Sequence, residues 1–196
     1  MSYYPWEEKM KKAVVLVVFA LLSLSLVAFT LLESSPTVDA KYIGTKKCGM
    51  CHKAKTGDQL GIWEKSQHAQ AYKTLQSDAS KAIVKEKGLG DDATKVAECL
   101  ACHVTGAGED ASKFEKSFSI EDGISCEACH GAGSEYKSKK IMEDHAASVA
   151  NGMTEYKTEA DIEAQCKTCH NEKSPTFKGF KFKEAWAKIA HPTKEG

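Results

Sequence analysis

Cys126-Glu-Ala-Cys129-His130 decides how this 196-residue chain is read, because its Cys-x-x-Cys-His pattern recurs at Cys48–His52, Cys99–His103 and Cys166–His170. The four copies take up every cysteine: Cys48, Cys51, Cys99, Cys102, Cys126, Cys129, Cys166 and Cys169. Two closed zinc sites or two redox-active cysteine pairs could also use these thiols, but neither needs histidine directly after each second cysteine. With 7 His in the chain, four such neighbours arise by chance roughly once in a million. Cys-x-x-Cys-His is the attachment signal for c-type haem, in which the thiols add to the porphyrin vinyl groups as thioethers and the adjacent imidazole binds iron from one face. The pattern therefore predicts four covalent haems, with His52, His103, His130 and His170 on the irons.

The ligand count then fails to close. Four irons offer eight axial positions, and beyond the four motif histidines only His68, His145 and His191 remain. At most three haems can be bis-histidine within one chain. The fourth iron must carry methionine, another donor, water or nothing. Met50 is confined inside the first motif, Met142 lies one helical turn before His145 and competes for its space, and nothing around Met153 marks it as a ligand. One haem open on one side is the expectation. Axial ligation sets both potential and reactivity, so the deficit bears directly on function.

Residues 13–32 carry no charge and follow Lys11 and Lys12, and Val38-Asp39-Ala40 provides small residues for cleavage. Residues 1–40 thus read as a signal peptide or as an N-terminal membrane anchor, since about 20 apolar residues also suffice to span a bilayer. Either reading places residues 41–196 outside the cytoplasm, in the periplasm or its equivalent, as one haem-bearing domain. That leaves roughly 39 residues per haem, too few for a large side-chain core, so the porphyrins must form much of the interior. Acidic and basic residues balance at 27 each, and every basic residue is Lys. Bidentate recognition of phosphate or bases favours Arg, so no nucleic-acid partner is expected.

Helical signals dominate. Ile62–Leu75 places His68, Tyr72 and Leu75 on one face, Asp92 stands before a segment carrying Val96, Cys99 and Cys102, and Ser134–Val149 reads as an amphipathic helix bearing His145. Thr158-x-x-Asp161 forms a capping-box signature ahead of Ile162, Cys166 and Cys169, and Phe182, Trp186 and Ile189 make an apolar stripe before His191-Pro192. The only strand-like alternation is Phe118-Ser-Ile-Glu121. The expected fold is mainly α with irregular loops and little or no β, wrapped around the haems.

The chain resembles the cytochrome c-554 family of tetrahaem periplasmic electron carriers. The resembling stretches are Tyr42-Ile-Gly-x-x-x-Cys48, Trp63-x4-His68-Ala, Cys99-Leu-Ala-Cys-His-Val-Thr-Gly106, Gly123-Ile-Ser-Cys-Glu-Ala-Cys-His-Gly131 and Cys166-x-x-Cys-His-Asn171-x-x-Ser174-Pro-Thr176. The resemblance implies that His145 completes the haem on His52, His191 the haem on His130 and His68 the haem on His170, with His103 holding the five-coordinate haem. It also implies electron transport, in a respiratory setting, between donor and acceptor redox proteins. A reductase or gas-binding role at the open haem, for nitric oxide or a similar molecule, is the competing expectation. The Val-Thr-Gly-Ala-Gly that follows His103 supplies no evident acid or base for it. The sequence leaves homo-oligomerisation open.

Overall fold

Glycines, caps and long-range hydrogen bonds divide the chain into short helices. The computed structural model describes residues 38–191. All but the last three residues of the expected leader lie outside them, as does Pro192. The described α-helices are α1 (Thr45–Cys48), α2 (Gln59–Glu64), α3 (Ala71–Leu75), α4 (Asp78–Glu86), α5 (Ala97–His103), α6 (Glu127–His130), α7 (Lys139–Met142), α8 (His145–Ala150), α9 (Glu159–Lys167) and α10 (Phe182–Trp186). Among the described residues no helix is long and apolar enough to cross a membrane. The only β pairing among them is an isolated parallel bridge between Tyr42 and Phe114. The fold is mainly α, as expected.

Three local expectations are revised. The run Ile62–Leu75 is not one helix: a 3-10 turn at His68–Gln70 separates α2 from α3. The cause is a segment distant in sequence, since Ile124 N–H donates to the His68 carbonyl at 3.1 Å and the Trp63 indole donates to the Ile124 carbonyl at 2.8 Å. A carbonyl turned toward Ile124 is drawn away from a regular helical ladder. Ser134–Val149 likewise divides into α7 and α8, because Asp144 caps a new helix by accepting from Ala147 N–H at 3.0 Å. Phe118–Glu121 forms no strand; Ile120–Asp122 is a 3-10 turn, with the Ser119 hydroxyl accepting from Glu121 N–H.

Other signals hold with small adjustments. Thr158 and Asp161 form a reciprocal capping box at the start of α9. Asp92 caps the 3-10 turn Ala93–Lys95, accepting from Thr94 N–H at 3.0 Å, and α5 begins only after Val96. In α10, Phe182 is buried and stacks on Trp186 with centroids 6.4 Å apart.

Buried apolar side chains are few. Leu75, Val84, Ala93 and Val96 form one cluster, with Cys99 and Leu100 packed against it. Ile43, Val104, Tyr136 and Phe182 are buried outside it. α3, α4 and α5 therefore each contribute to one conventional core, which includes no residue from Cys126 onward.

Candidate metal centre: paired histidines and four cysteine motifs

Helix ends position the motif histidines. His103 closes α5 and His130 closes α6, while Cys48 closes α1 and Cys166 lies in the last turn of α9. In each motif the histidine N–H, or that of its neighbour, returns to the cysteine turn: His52, His130 and His170 donate to the carbonyls of Cys48, Cys126 and Cys166 at 3.1, 3.0 and 3.0 Å. One turn thus holds two sulfurs and an imidazole in fixed relation, as attachment to a single porphyrin requires.

Two histidines distant in sequence come to face motif histidines. His191 lies 5.9 Å from His130 between ring centroids, and His68 lies 6.0 Å from His170. Metal–imidazole bonds of about 2 Å put two axial rings about 6 Å apart, so both pairs fit a single iron between them. The His170 ring also stacks on Phe180 at 4.8 Å. Burial holds His52, His68, His130 and His170 below the ordinary imidazole range, and brings His130 to about 4. Neutral imidazole is the form that binds metal. Hydrogen bonds orient two further rings: His103 Nδ1 donates to the Ala71 carbonyl at 2.7 Å and His191 Nδ1 to that of Ile189 at 3.0 Å. With Nδ1 protonated in this way, Nε2 keeps the free lone pair.

His52 and His145 are not brought together. His145 heads α8, is 67% exposed and places Nε2 3.1 Å from Glu155 Oε1. No histidine ring faces His103 among the described residues. Met50 is 70% exposed, and Met153 donates its N–H to the Ser148 carbonyl at 3.0 Å.

The cysteines are all unpaired as disulfides, and several interact across motifs. Cys48 lies in the field of Cys126, Cys102 in that of Cys169, and Cys129 in that of Cys166. First and third motifs, second and fourth, and third and fourth are thus neighbours. Among the described residues no three His, Cys, Asp or Glu side chains gather into one metal cage. The donor set is one of imidazole pairs and thiol pairs, which suits haem iron better than a closed zinc site.

The sequence reading missed the polar framework around these motifs. Glu127, inside the third motif, is buried and accepts from the backbone N–H groups of Ile43, Gly44 and Gly133. Thr105, two residues after His103, accepts from Ser125 N–H at 2.7 Å and donates to the Gly123 carbonyl at 3.0 Å. The only sequence signal for Glu127 was a carboxylate between two attachment cysteines. Among the described residues, the buried hydroxyls of Ser66 and Ser125 lack a protein partner, while that of Thr45 faces only the Cys126 thiol. Each belongs to a residue within three positions of Cys48, His68 or Cys126, and a buried hydroxyl calls for a polar partner. These orphans, with the two ring separations, show that the residues present fit haem.

Comparison with known proteins agrees. The family described as "Cytochrome c554 and c-prime" matches residues 47–131. The chain is 30% identical over 164 residues to "Cytochrome c-554" of Nitrosomonas europaea, covering 78% of this chain and 68% of that protein. No solved structure gives a significant match. A cytochrome c carries covalent haem and transfers electrons through its iron. On the extent of this similarity, the chain belongs to the cytochrome c-554 family.

Proposed function

We propose that this cytochrome passes electrons outside the cytoplasm, between redox protein partners, through four c-type haems. The observation that carries this reading is the placement of His68 opposite His170 and His191 opposite His130 at 6.0 and 5.9 Å. Each haem, when bound, supplies a one-electron iron couple. The cysteine pairs Cys48/Cys51, Cys99/Cys102, Cys126/Cys129 and Cys166/Cys169 fix the porphyrins, and His52, His103, His130 and His170 bind from one face. His68, His191 and His145 supply the opposite ligands for the fourth, third and first motifs. Paired imidazoles keep iron six-coordinate in both oxidation states, so little has to move when an electron arrives. The closeness of the motifs through their cysteines leaves none of the four isolated. His145 reaches iron only by giving up Glu155, an exchange between two surface partners. The charge-free stretch 13–32 behind Lys11 and Lys12 supports export, as a cleaved signal or an anchor.

A second reading, a reductase or gas-binding role, rests on His103, which no second imidazole faces among the described residues. Its ring is oriented by the Ala71 carbonyl at 2.7 Å, and an iron held there would have no second imidazole from the described residues. Electron paramagnetic resonance of the oxidised holoprotein tests both readings. Four haems per chain by mass, with about one iron in four high-spin, is the expected result. Nitric oxide should then perturb that iron alone in the reduced protein, and turnover with it would mark an enzyme rather than a carrier. Four low-spin irons would end the second reading. A mass short of four haems would end the first.

A further inference from the structure

Glu127 lies between the two cysteines of the third motif and is 2% exposed. Oε1 accepts from Ile43 N–H at 2.9 Å and Gly133 N–H at 2.8 Å, and Oε2 accepts from Gly44 N–H at 2.8 Å and Ile43 N–H at 3.1 Å. Every group bonded to the carboxylate is a donor. A proton on either oxygen would find no acceptor and would displace an N–H, so this nest suits the ionised form. None of the ion pairs among the described residues includes Glu127; the nearby pair, Lys137 with Glu115 at 2.7 Å, engages a different carboxylate. Burial pushes the carboxyl up, and the N–H groups of Ile43, Gly133 and Gly44 pull it back down, so any negative charge here is held by backbone dipoles.

Its position joins two motifs. Ile43 and Gly44 lead directly into α1, whose last residue is Cys48, with its sulfur 3.8 Å from the Gly44 carbonyl oxygen, and Cys48 lies in the field of Cys126, the residue before Glu127. Gly44 adopts φ +82°, and a Cβ there would come within 2.6 Å of the Ser117 carbonyl oxygen. The strand of backbone that Glu127 grips is therefore fixed on its other side as well.

We infer that Glu127 is a positioning residue that lowers the reduction potentials of the haems on the first and third motifs, by placing a fixed negative charge where it joins one motif to the other. Reduction adds an electron to each iron, and a nearby buried anion opposes that addition in a medium that screens poorly. The inference rests on the reading that these two motifs carry haem.

Spectroelectrochemical titration of the Glu127→Gln holoprotein tests it, with haem content measured on the same samples. Gln keeps the shape and one acceptor oxygen but removes the charge. Two of the four couples should shift to favour reduction about tenfold, which is about 59 mV for a one-electron couple, while the other two stay in place. Glu127→Asp, which keeps the charge, should leave all four within about twofold of the parent. Four unmoved couples, a uniform shift of all four, or an Asp variant that shifts as far as Gln overturns the inference. Fewer than four haems in the parent protein overturns the underlying reading as well. The parent holoprotein gives a reading that needs no charge-removing variant. Its redox-difference infrared spectrum should contain an ionised-carboxylate band that moves in Glu127→Asp. A protonated-carboxyl band moving instead defeats the charge argument.

Discussion

Between Ala71 and Leu100 the chain buries Leu75, Val84, Ala93 and Val96 against Cys99 and Leu100. Between Thr105 and Ser148 most of what it buries is polar: Thr105, Ser125, Glu127 and Ser148. The first region is held by removal of apolar surface from water, a term that accumulates with every side chain enclosed. The second is held by hydrogen bonds, which fix register well but contribute only about 1 kcal/mol each against solvent. The two regions therefore depend on the attached groups to different degrees. The apolar region brings part of its core with it, whereas on the proposed reading the polar region arranges a frame that porphyrin would fill.

The strongest way to break that contrast is to remove one attachment from the polar region. Cys126→Ala combined with Cys129→Ala should lose the third haem and, with it, the cooperative fold of the segment around it. Haem mass and the sharpness of thermal unfolding by circular dichroism report both losses. A protein with three haems and an unchanged melting transition would show that the polar frame stands alone.

A smaller effect is expected in the apolar region, and of a different kind. Leu75→Ala opens a cavity at a side chain only 4% exposed and should lower unfolding stability by about 2–5 kcal/mol. Haem content and spin state should not change, because the cavity opens within the cluster under Cys99 and Leu100 while the His103 ring stays on the Ala71 carbonyl. Denaturant titration followed at both far-ultraviolet and Soret wavelengths checks this. Altered spin state would mean that the two regions are one cooperative core.

The most local effects belong to the histidines. His191→Ala and His68→Ala should each convert about one iron in four from low-spin to high-spin, with little loss of stability. His145→Ala sharpens the comparison, since His145 lies at the surface beside Glu155 at 3.1 Å rather than beside His52. The same conversion is expected for it, measured by electron paramagnetic resonance. An unchanged spectrum in that variant would assign His145 to its ion pair alone.

The motifs of the candidate site were legible before any geometry. The cysteine spacing requires no tertiary context, because one turn contains the whole attachment unit. The capping box at Thr158 and Asp161 was equally visible, since both partners lie within the first turn of α9. What could not be read were features whose causes lie elsewhere in the chain. His68 leaves a helix because of Ile124, and α7 ends before α8 because Asp144 competes for the Ala147 N–H. The brief alternation at Phe118 lacked a partner strand, so local pattern alone could not make it β. Glu127 was the least visible: a charged residue at that position reads as surface until the backbone of Ile43 and Gly44 is laid over it.

The Glu127 clamp also has a consequence in time. Glu127 and Ile43 are 84 residues apart, and closing a loop of that length costs about 3 kcal/mol more entropy than closing a four-residue turn. Local helices such as α4 can form as soon as they emerge, but the approach to Cys48 stays untethered until Glu127 has followed it out. A haem carried by the first motif would thus be among the last to have a finished surrounding. On the proposed reading, maturation would join porphyrin to a first motif whose seating waits for a contact made much later.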